Sequence, residues 1–273
     1  MADLRSRVDD LWRMRAELAP DDGDALATVM EAVGMLDTGS LRVAEVDPAT
    51  GEVVVHEWLR RAILLLFRLR RMETGRAGPL EHHDKIPLKS GFAESGVRVV
   101  PGAIARFGAH LEPGVILMPS FVNVGARVGA GSMIDTWATV GSCAQVGADV
   151  HVAGGAGIGG VLEPANARPV VIEDGCMIGS RCMVTQGARV GRGSVLGEGT
   201  VLNPGIPVID AATGAELGRG HVPPGCVVVR AERKRTFAGG DYFLPCALVI
   251  RHLEPGDRAH LNDILRESGI AVP

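Results

Sequence analysis

The sequence predicts a mainly β protein whose centre is a parallel β-helix, preceded by an N-terminal α-helical domain and followed by a small C-terminal cap. Three observations predict this fold. Aliphatic residues recur every six positions from residue 104 to residue 228. Glycine accounts for 37 of 273 residues, about twice the usual share of roughly 7%. Aromatic residues make up only 4% of the chain, which favours a thin aliphatic core.

The six-residue period is the strongest of these signals. A helix repeats every 3.6 residues and a strand every 2, so neither alone produces it. Three flat sides of six residues make a triangular coil, and coils stack at the strand spacing of ~4.8 Å. The predicted inward positions are Ile104, His110, Ile116, Val122, Val128, Ile134, Val140, Val146, Val152, Ile158, Ile172, Ile178, Val184, Val190, Leu196, Leu202, Val208, Val222 and Val228. The small residues predicted to fit the narrow corners are Ala126, Ser132, Ala138, Ala144, Ala156, Ala188, Ser194 and Thr200.

Breaks in this period divide the chain. Residues 1–95 show helical apolar spacing and end in a polar, turn-rich segment at 75–91 that is typical of a linker. Residues 96–230 form the β-helix, and its two interruptions predict loops near 159–171 and 209–221. Loops on a rigid scaffold commonly hold binding groups, so both are candidates for a site.

The remaining residues, 231–273, are expected to cap the open end of the solenoid. They begin with a polar segment, continue with an extended apolar stretch at 243–250, and end with a short helix at 260–268. A solenoid needs such a cap because its last coil otherwise exposes its core.

The composition excludes several classes of protein. A formal net charge of −4 without a basic run argues against a nucleic-acid partner. No run of about 18 uncharged apolar residues is present, so no membrane-spanning helix is expected. The charged N-terminus lacks the apolar segment of a secretory signal, and the five cysteines form no CxxC pair. We therefore expect a cytoplasmic location and reduced thiols.

A glycine run at 154–160, GGAGIGG, matches the pattern G-x-G-x-x-G through Gly155, Gly157 and Gly160. A dinucleotide-binding fingerprint needs a helix after it, and here the six-residue period continues instead. Tight corners of the β-helix explain the glycines better, so no tightly bound cofactor is expected.

Two histidines are candidates for metal ligands or for a general base. His110 and His151 are 41 positions apart, which is not a multiple of 18, so they do not stack on one ridge. We therefore expect no metal site. His151 precedes an inward position and the glycine run, which makes it a candidate base; the alternative is a hydrogen-bonded surface histidine.

Asp135 and Trp137 stand out in the β-helix. Asp135 follows the inward Ile134, where most repeats have glycine, and Trp137 lies outside the core register. A carboxylate beside an exposed aromatic ring on a rigid coil resembles a ligand site, and a turn-capping aspartate with an incidental tryptophan explains it equally well. Arg98, at the start of the β-helix, can clamp a carboxylate with two parallel hydrogen bonds; a solvated surface arginine is the alternative.

Longer segments identify a family. The chain resembles the tetrahydrodipicolinate N-succinyltransferases, acyl-CoA enzymes of the succinylase route to diaminopimelate and lysine. The segments that carry the resemblance are MLDTGSLRVAE (35–45), HEWLRRAILLLFR (56–68), RVVPGAIARFGAHL (98–111), ILMPSFVNVGA (116–126), MIDTWATVGSCAQVGADVHVAGGAGIGGVLEP (133–164) and GHVPPGCVVV (220–229).

The resemblance implies a left-handed β-helix, a homotrimer with active sites between subunits, and succinyl-CoA or another acyl-CoA as co-substrate. It implies that Arg98 and Asp135 bind the amino-dicarboxylate acceptor and that Asp135 takes part in catalysis; Trp137 is expected beside them. A nearby carboxylate suits this chemistry, because an amine must lose its proton to attack a thioester.

The sequence also departs from the family pattern. Met183 stands where the family has an acidic residue, and NPGIPV at 203–208 replaces a polar stretch. Glu198, about one coil further on, is a candidate substitute for the missing acid. These departures leave open a related acyltransferase of specialised metabolism, such as toxin or antibiotic biosynthesis, that acetylates or succinylates a different amino acid. A non-catalytic β-helix is the third alternative, although the outward positions lack the regular ladders it would need.

Overall fold

The computed structural model describes residues 2–20, 22–164 and 167–254. The N-terminal part contains three helices and two small hairpins: α1 (Ala2–Arg13), α2 (Gly23–Asp37), β1 (Ala44–Val46), β2 (Val53–Val55), α3 (Glu57–Leu69), β3 (Glu73–Ala77) and β4 (Leu80–Asp84). The helices bury one apolar core, which also includes Val124 and Cys143 of the β-helix. The helical part is therefore packed directly against the solenoid.

The N-terminal part is less helical than predicted. The expected linker at 75–91 contains most of the antiparallel hairpin β3–β4, in which Ala77 pairs with Leu80. Gly78 at the turn has a φ of 60°, and a glycine with positive φ at the first central position is typical of a two-residue hairpin turn. Gly78 and Pro79 therefore close a hairpin rather than loosen a linker.

Residues 98 to 228 form a triangular parallel β-helix, as predicted. Face 1 consists of β5 (Arg98–Val99), β8 (Ile116–Leu117), β11 (Met133–Ile134), β14 (His151–Val152), β17 (Met177–Ile178), β20 (Val195–Leu196) and the start of β25 (Cys226–Phe237). Face 2 consists of β6 (Ile104–Ala105), β9 (Phe121–Val122), β12 (Thr139–Val140), β15 (Gly157–Ile158), β18 (Met183–Val184) and β21 (Val201–Leu202). Face 3 consists of β7 (His110–Leu111), β10 (Arg127–Val128), β13 (Gln145–Val146), β16 (Val171–Ile172), β19 (Arg189–Val190) and β24 (His221–Val222). The chain visits faces 1, 2 and 3 in turn, and we number coils 1 to 6 by their face-1 strands, from β5 to β20.

The inward register is confirmed from Val122 onward and wrong before it. Leu117 pairs with Ile134, so these neighbouring coils differ by 134 − 117 = 17 residues, whereas Ile134 and Val152 differ by 18. Coil 2 is therefore one residue short. In the strands before this point, the residue that points inward is the one that follows each predicted position. Leu111 is consequently 2% exposed and points inward, which explains why His110 broke the aliphatic pattern.

The first interruption is a loop, as predicted, and the helical part anchors it. The buried side chain of Arg60 from α3 donates hydrogen bonds to the carbonyl oxygens of Pro164, at 2.7 Å, and Ala167. These hydrogen bonds fix the loop to α3, although the bonded residues are 104 and 107 positions apart in the sequence.

The second interruption differs from the prediction. Instead of a loop at 209–221, the chain forms a hairpin of β22 (Pro207–Asp210) and β23 (Glu216–Arg219). Val208 is buried in the core of the β-helix, as predicted. Its strand does not form the next side of a coil, however: it pairs with Ala247 and Gly218 in an extension of the face-1 sheet. The chain returns to face 3 only at β24.

The C-terminal segment packs on the last coil. Strand β25 pairs along its length with β26 (Gly240–His252), which includes the predicted extended stretch at 243–250. Ala247 and Val249 join the core of the β-helix and are 0% and 1% exposed. The helix predicted at 260–268 lies outside the described residues, and the domain boundaries at 95 and 230 remain predictions.

No helix in the described part of the chain is long and apolar enough to cross a membrane. All five cysteines are free and buried. Burial raises the pKa of the Cys143 and Cys176 thiols to about 12, so these side chains act as small apolar groups of the core rather than as nucleophiles.

Candidate active site

The corner between faces 1 and 2 of coil 3 holds the candidate residues. Residues 135–138 form this corner, and Asp135 is its first residue. Its backbone N–H donates to the carbonyl oxygen of Val152 at 2.9 Å, which fixes the backbone while the partly exposed side chain points outward. The β-helix thus presents a carboxylate on a rigid edge.

The structure brings Asp135 and His151 together. His151 Nε2 lies 3.3 Å from Asp135 Oδ2, although the residues are 151 − 135 = 16 positions apart. Asp135 Oδ1 accepts hydrogen bonds from the backbone N–H of Thr136 at 2.6 Å and from its hydroxyl at 3.2 Å. The Thr136 N–H and then His151 hold the pKa of Asp135 below its ordinary value, although partial burial opposes them.

Trp137 projects into solvent from a strained backbone position. Its side chain is 74% exposed and its φ is 61°. A left-handed backbone costs a non-glycine residue about 1–2 kcal/mol, and Gly155 occupies the same corner position in the next coil with a φ of 67°. A large apolar side chain that is both exposed and strained suggests selection for contact with another molecule.

The glycine run at 154–160 forms the floor of a shallow trough. Every outward position of this segment is glycine, whereas Ala156 and Ile158 point inward. Side chains of coil 5 lean over this floor: a Cβ on Gly157 would lie 2.6 Å from Met183 Sδ, and a Cβ on Gly159 would lie 2.9 Å from Thr185 Cγ2. We call this surface the glycine trough; coil 3 forms its other side.

Met183 and Glu198 do not occupy equivalent places. Met183 is 44% exposed on face 2 and leans across the trough toward Thr139 of coil 3. A glutamate at this position would therefore be solvated in the single chain. Glu198 lies at the corner of coil 6, three strand spacings or about 14 Å along the axis from Asp135. It is not the residue next to Met183 in that coil, because Met183 pairs with Val201.

Arg98 is exposed on face 1 of coil 1, two strand spacings or about 10 Å from the strand that precedes Asp135. Its guanidinium makes no hydrogen bond or ion pair with any described residue. An arginine side chain is long enough to bring its charge toward Asp135, so the two residues can contact one ligand.

Three features of the site were not recognised in the sequence. These are the Thr136 hydroxyl, the trough formed by the glycine run, and Arg181, which lies over Gly155. The sequence does contain a signal for the trough. Residues 18 positions apart lie side by side in neighbouring coils, so the glycines of coil 4 can be matched to the residues of coil 3 that lie next to them. Within the described residues, no group of three or more His, Cys, Asp or Glu side chains is placed to hold a metal ion.

The stacked six-residue coils define a hexapeptide-repeat protein, and comparisons with known proteins specify the family. The family described as tetrahydrodipicolinate N-succinyltransferase N-terminal matches residues 3–69, and that described as hexapeptide repeat of succinyl-transferase matches residues 169–204. A 2,3,4,5-tetrahydropyridine-2,6-dicarboxylate N-succinyltransferase of Dechloromonas aromatica is 42% identical over 96% of this chain and 98% of its own length. The protein of the same name from Bordetella avium is 45% identical over 97% and 98%. The chain belongs to the tetrahydrodipicolinate N-succinyltransferase family.

Among solved structures, a hexapeptide transferase family protein from Anaplasma phagocytophilum aligns with 64% of this chain and 84% of its own. It has 14% sequence identity and a TM-score of 0.41.

The hydrogen bonds of Asp135 predict how its carboxyl titrates. Removing the imidazole in His151→Ala should raise the pKa of Asp135 toward its ordinary value. Thr136→Val should raise it less, because the Thr136 hydroxyl lowers the pKa of Asp135 less than the His151 imidazole does. Carbon-13 NMR of the Asp135 carboxyl across acidic pH measures both shifts in the free protein. An unchanged titration in His151→Ala would show that the imidazole does not stabilise the carboxylate.

Proposed function

We propose that this protein transfers the succinyl group of succinyl-CoA to the nitrogen of 2,3,4,5-tetrahydropyridine-2,6-dicarboxylate. The observation that supports this function most directly is the Asp135–His151 pair on an open edge of the β-helix. Relatives that carry the name of this activity are similar over almost the whole chain.

The acceptor determines which proton must move. Its ring nitrogen is part of a C=N bond, so one water must add to that bond to give an amine. The amine nitrogen then attacks the thioester carbonyl carbon, loses a proton, and the C–S bond breaks to release CoA as a thiol. Asp135 is the base that accepts the amine proton, and His151, hydrogen-bonded to it, steadies the carboxylate.

The outer surface suits both substrates. Arg98 binds one carboxylate of the acceptor, and Trp137 packs against its ring. The glycine trough accepts the extended arm of acyl-CoA, because coil 4 itself places no side chain there. The flexible Met183 side chain, which lies over Gly157, must move aside for the arm.

A homotrimer with sites between subunits is part of this proposal. Face 3 is covered by its own chain, since Arg189 donates to the carbonyl oxygen of Gly51 at 2.6 Å. Face 2 leaves apolar side chains open, including Ile104, Met183 and Val201 at 36%, 44% and 39% exposure. Light scattering should give about three times the chain mass of 28.6 kDa; a particle of one chain mass would contradict the trimer.

Finer features follow from the family resemblance and belong to the same proposal. They are the left-handed sense of the coil, domain boundaries near 95 and 230, and a cytoplasmic location. A crystal structure determines the hand and the boundaries, and cell fractionation determines the location.

The activity is tested by thiol release from a panel of acyl-CoAs in the presence of the acceptor. We expect release from succinyl-CoA and a loss of roughly 10²–10⁴-fold in Asp135→Asn, because a nearly isosteric amide cannot accept the proton. The variant's unfolding temperature should match that of the wild type. Retention of more than half the activity would remove Asp135 from the mechanism.

Met183 keeps an alternative open, a relative of specialised metabolism that acylates a different amino acid. If only an acid has been lost, Met183→Glu should increase turnover with succinyl-CoA, because the new carboxylate faces the trough. Val201→Glu is the matched control, since Val201 occupies the neighbouring place on face 2, one coil further from Asp135. Undetectable succinylation of this acceptor by both wild type and Met183→Glu would favour the alternative.

A further inference from the structure

Arg181 occupies a backbone position that disfavours it. The third residue of the corner between faces 1 and 2 has a positive φ in coils 1, 3, 4, 5 and 6, and the residues are Gly102, Trp137, Gly155, Arg181 and Gly199. Glycine adopts this conformation without strain, whereas an arginine does not. Two of the five corners therefore hold a long side chain at a free-energy cost, and one of these is the tryptophan beside Asp135.

The Arg181 side chain runs back along the β-helix toward coil 3. A Cβ placed on Gly155 would lie 2.8 Å from Arg181 Nε and 2.9 Å from its Cζ. The guanidinium therefore lies over Gly155, at the end of the glycine trough nearest Trp137. It makes no hydrogen bond or ion pair with any side chain among the described residues, and Arg181 is exposed.

Arg98 and Arg181 flank Asp135 on opposite sides. Arg98 belongs to coil 1 and Arg181 to coil 5, so each lies two strand spacings, about 10 Å along the axis, from the coil of Asp135. Both guanidinium groups lack a partner among the described side chains. The edge thus carries one base with a free cation on either side.

The proposed acceptor has a matching arrangement of charge. Its reacting nitrogen lies between two ring carbons, and each of them carries a carboxylate. We propose that Arg181 binds the second carboxylate of this acceptor while Arg98 binds the first, which places the nitrogen at Asp135. This inference rests on the proposed function. The guanidinium matches a carboxylate through two parallel hydrogen bonds, which fixes orientation as well as charge.

The terminal carboxylate of succinyl-CoA is the other anion that Arg181 could bind. The two sources differ in what a substitution changes. Loss of the acceptor contact raises the KM of the acceptor with every acyl donor. Loss of a donor contact removes the preference for succinyl-CoA over acetyl-CoA and leaves the KM of the acceptor unchanged.

The first experiment measures steady-state kinetics of Arg181→Asn and Arg181→Lys. Asparagine tolerates a left-handed backbone better than most residues, so Arg181→Asn removes the charge without disturbing the corner. We expect the KM of the acceptor to rise roughly 10- to 100-fold, because a charge-assisted contact is lost, and the KM of succinyl-CoA to stay within about twofold. Arg181→Lys should recover part of the loss but not the paired hydrogen bonds.

A second experiment displaces Arg181 without replacing it. Gly155→Ala introduces a methyl group where the guanidinium lies and should also raise the KM of the acceptor. Gly199→Ala is the matched control: Gly199 occupies the same corner position with a φ of 69°, and a Cβ there meets nothing within 4 Å. Both variants strain the backbone equally. A rise in the KM of the acceptor that is confined to Gly155→Ala therefore reports on Arg181, whereas a methyl group that only narrows the trough would raise the KM of succinyl-CoA instead.

The outcomes distinguish the inference from the proposed function. If the wild type does not succinylate the acceptor, the proposed function fails. If the wild type is active but Arg181→Asn leaves the KM of the acceptor unchanged, Arg181 does not bind it. Equal losses in Gly155→Ala and Gly199→Ala, each with a lower unfolding temperature, would show that the corner is merely structural and would overturn the inference.

Discussion

The stacking of coils at the strand spacing is the constraint on which this protein depends. Each coil hydrogen-bonds to the next in parallel register, so an inward side chain in one coil lies directly on another. Val140, Ile158 and Val184 form such a column and are at most 1% exposed. Extra residues cannot be accommodated inside the stack, and both insertions therefore leave it. Function must accordingly reside in the outward positions, the corners and the insertions.

The corners set a second constraint, because the chain turns at most of them through a residue with a left-handed backbone; the shortened corner of coil 2 at residues 118–120 is an exception. Glycine usually meets this condition, but Trp137, Cys143, Asp149, Arg181 and Gln186 also have positive φ. Cys143 has a structural reason, since its buried side chain joins the core of the helical part. Trp137 and Arg181 have no such packing and lie on either side of Gly155. Strain of this kind, without compensation from the core, is characteristic of positions retained for binding.

Sequence periodicity predicted the parallel β-helix. The candidate site residues came from local departures in the repeat and from the family resemblance; their roles remain predictions, and periodicity did not predict which of them lie together. The inward register was correct from Val122 because the sides of the coils there keep the six-residue spacing outside the two insertions; it was wrong near Ile104 because coil 2 is one residue short. Asp135 and His151 were each singled out, yet their contact depends on stacking. Arg181 was not predicted as a site residue. It occupies the same corner position as Trp137, but the insertion after Ile158 makes their separation in sequence differ from a multiple of 18. A periodic pattern identifies the residues that point into a solenoid more readily than it identifies which outward residues contact each other.

The glycine trough explains how this scaffold can tolerate a change in its chemistry. Its floor offers no side chains, so the identity of the site is determined by coil 3 on one side and coil 5 on the other. Their outward residues, including Asp135 and Met183, contribute nothing to the buried column beneath them. A change from methionine to an acid at position 183 would therefore alter the charge of this surface and leave the stacking of coils intact. In this fold, substitutions at outward positions can change the substrate with little cost in stability. Substitutions at the turns or in the aliphatic interior cannot be made so easily, because the stacking of coils depends on them.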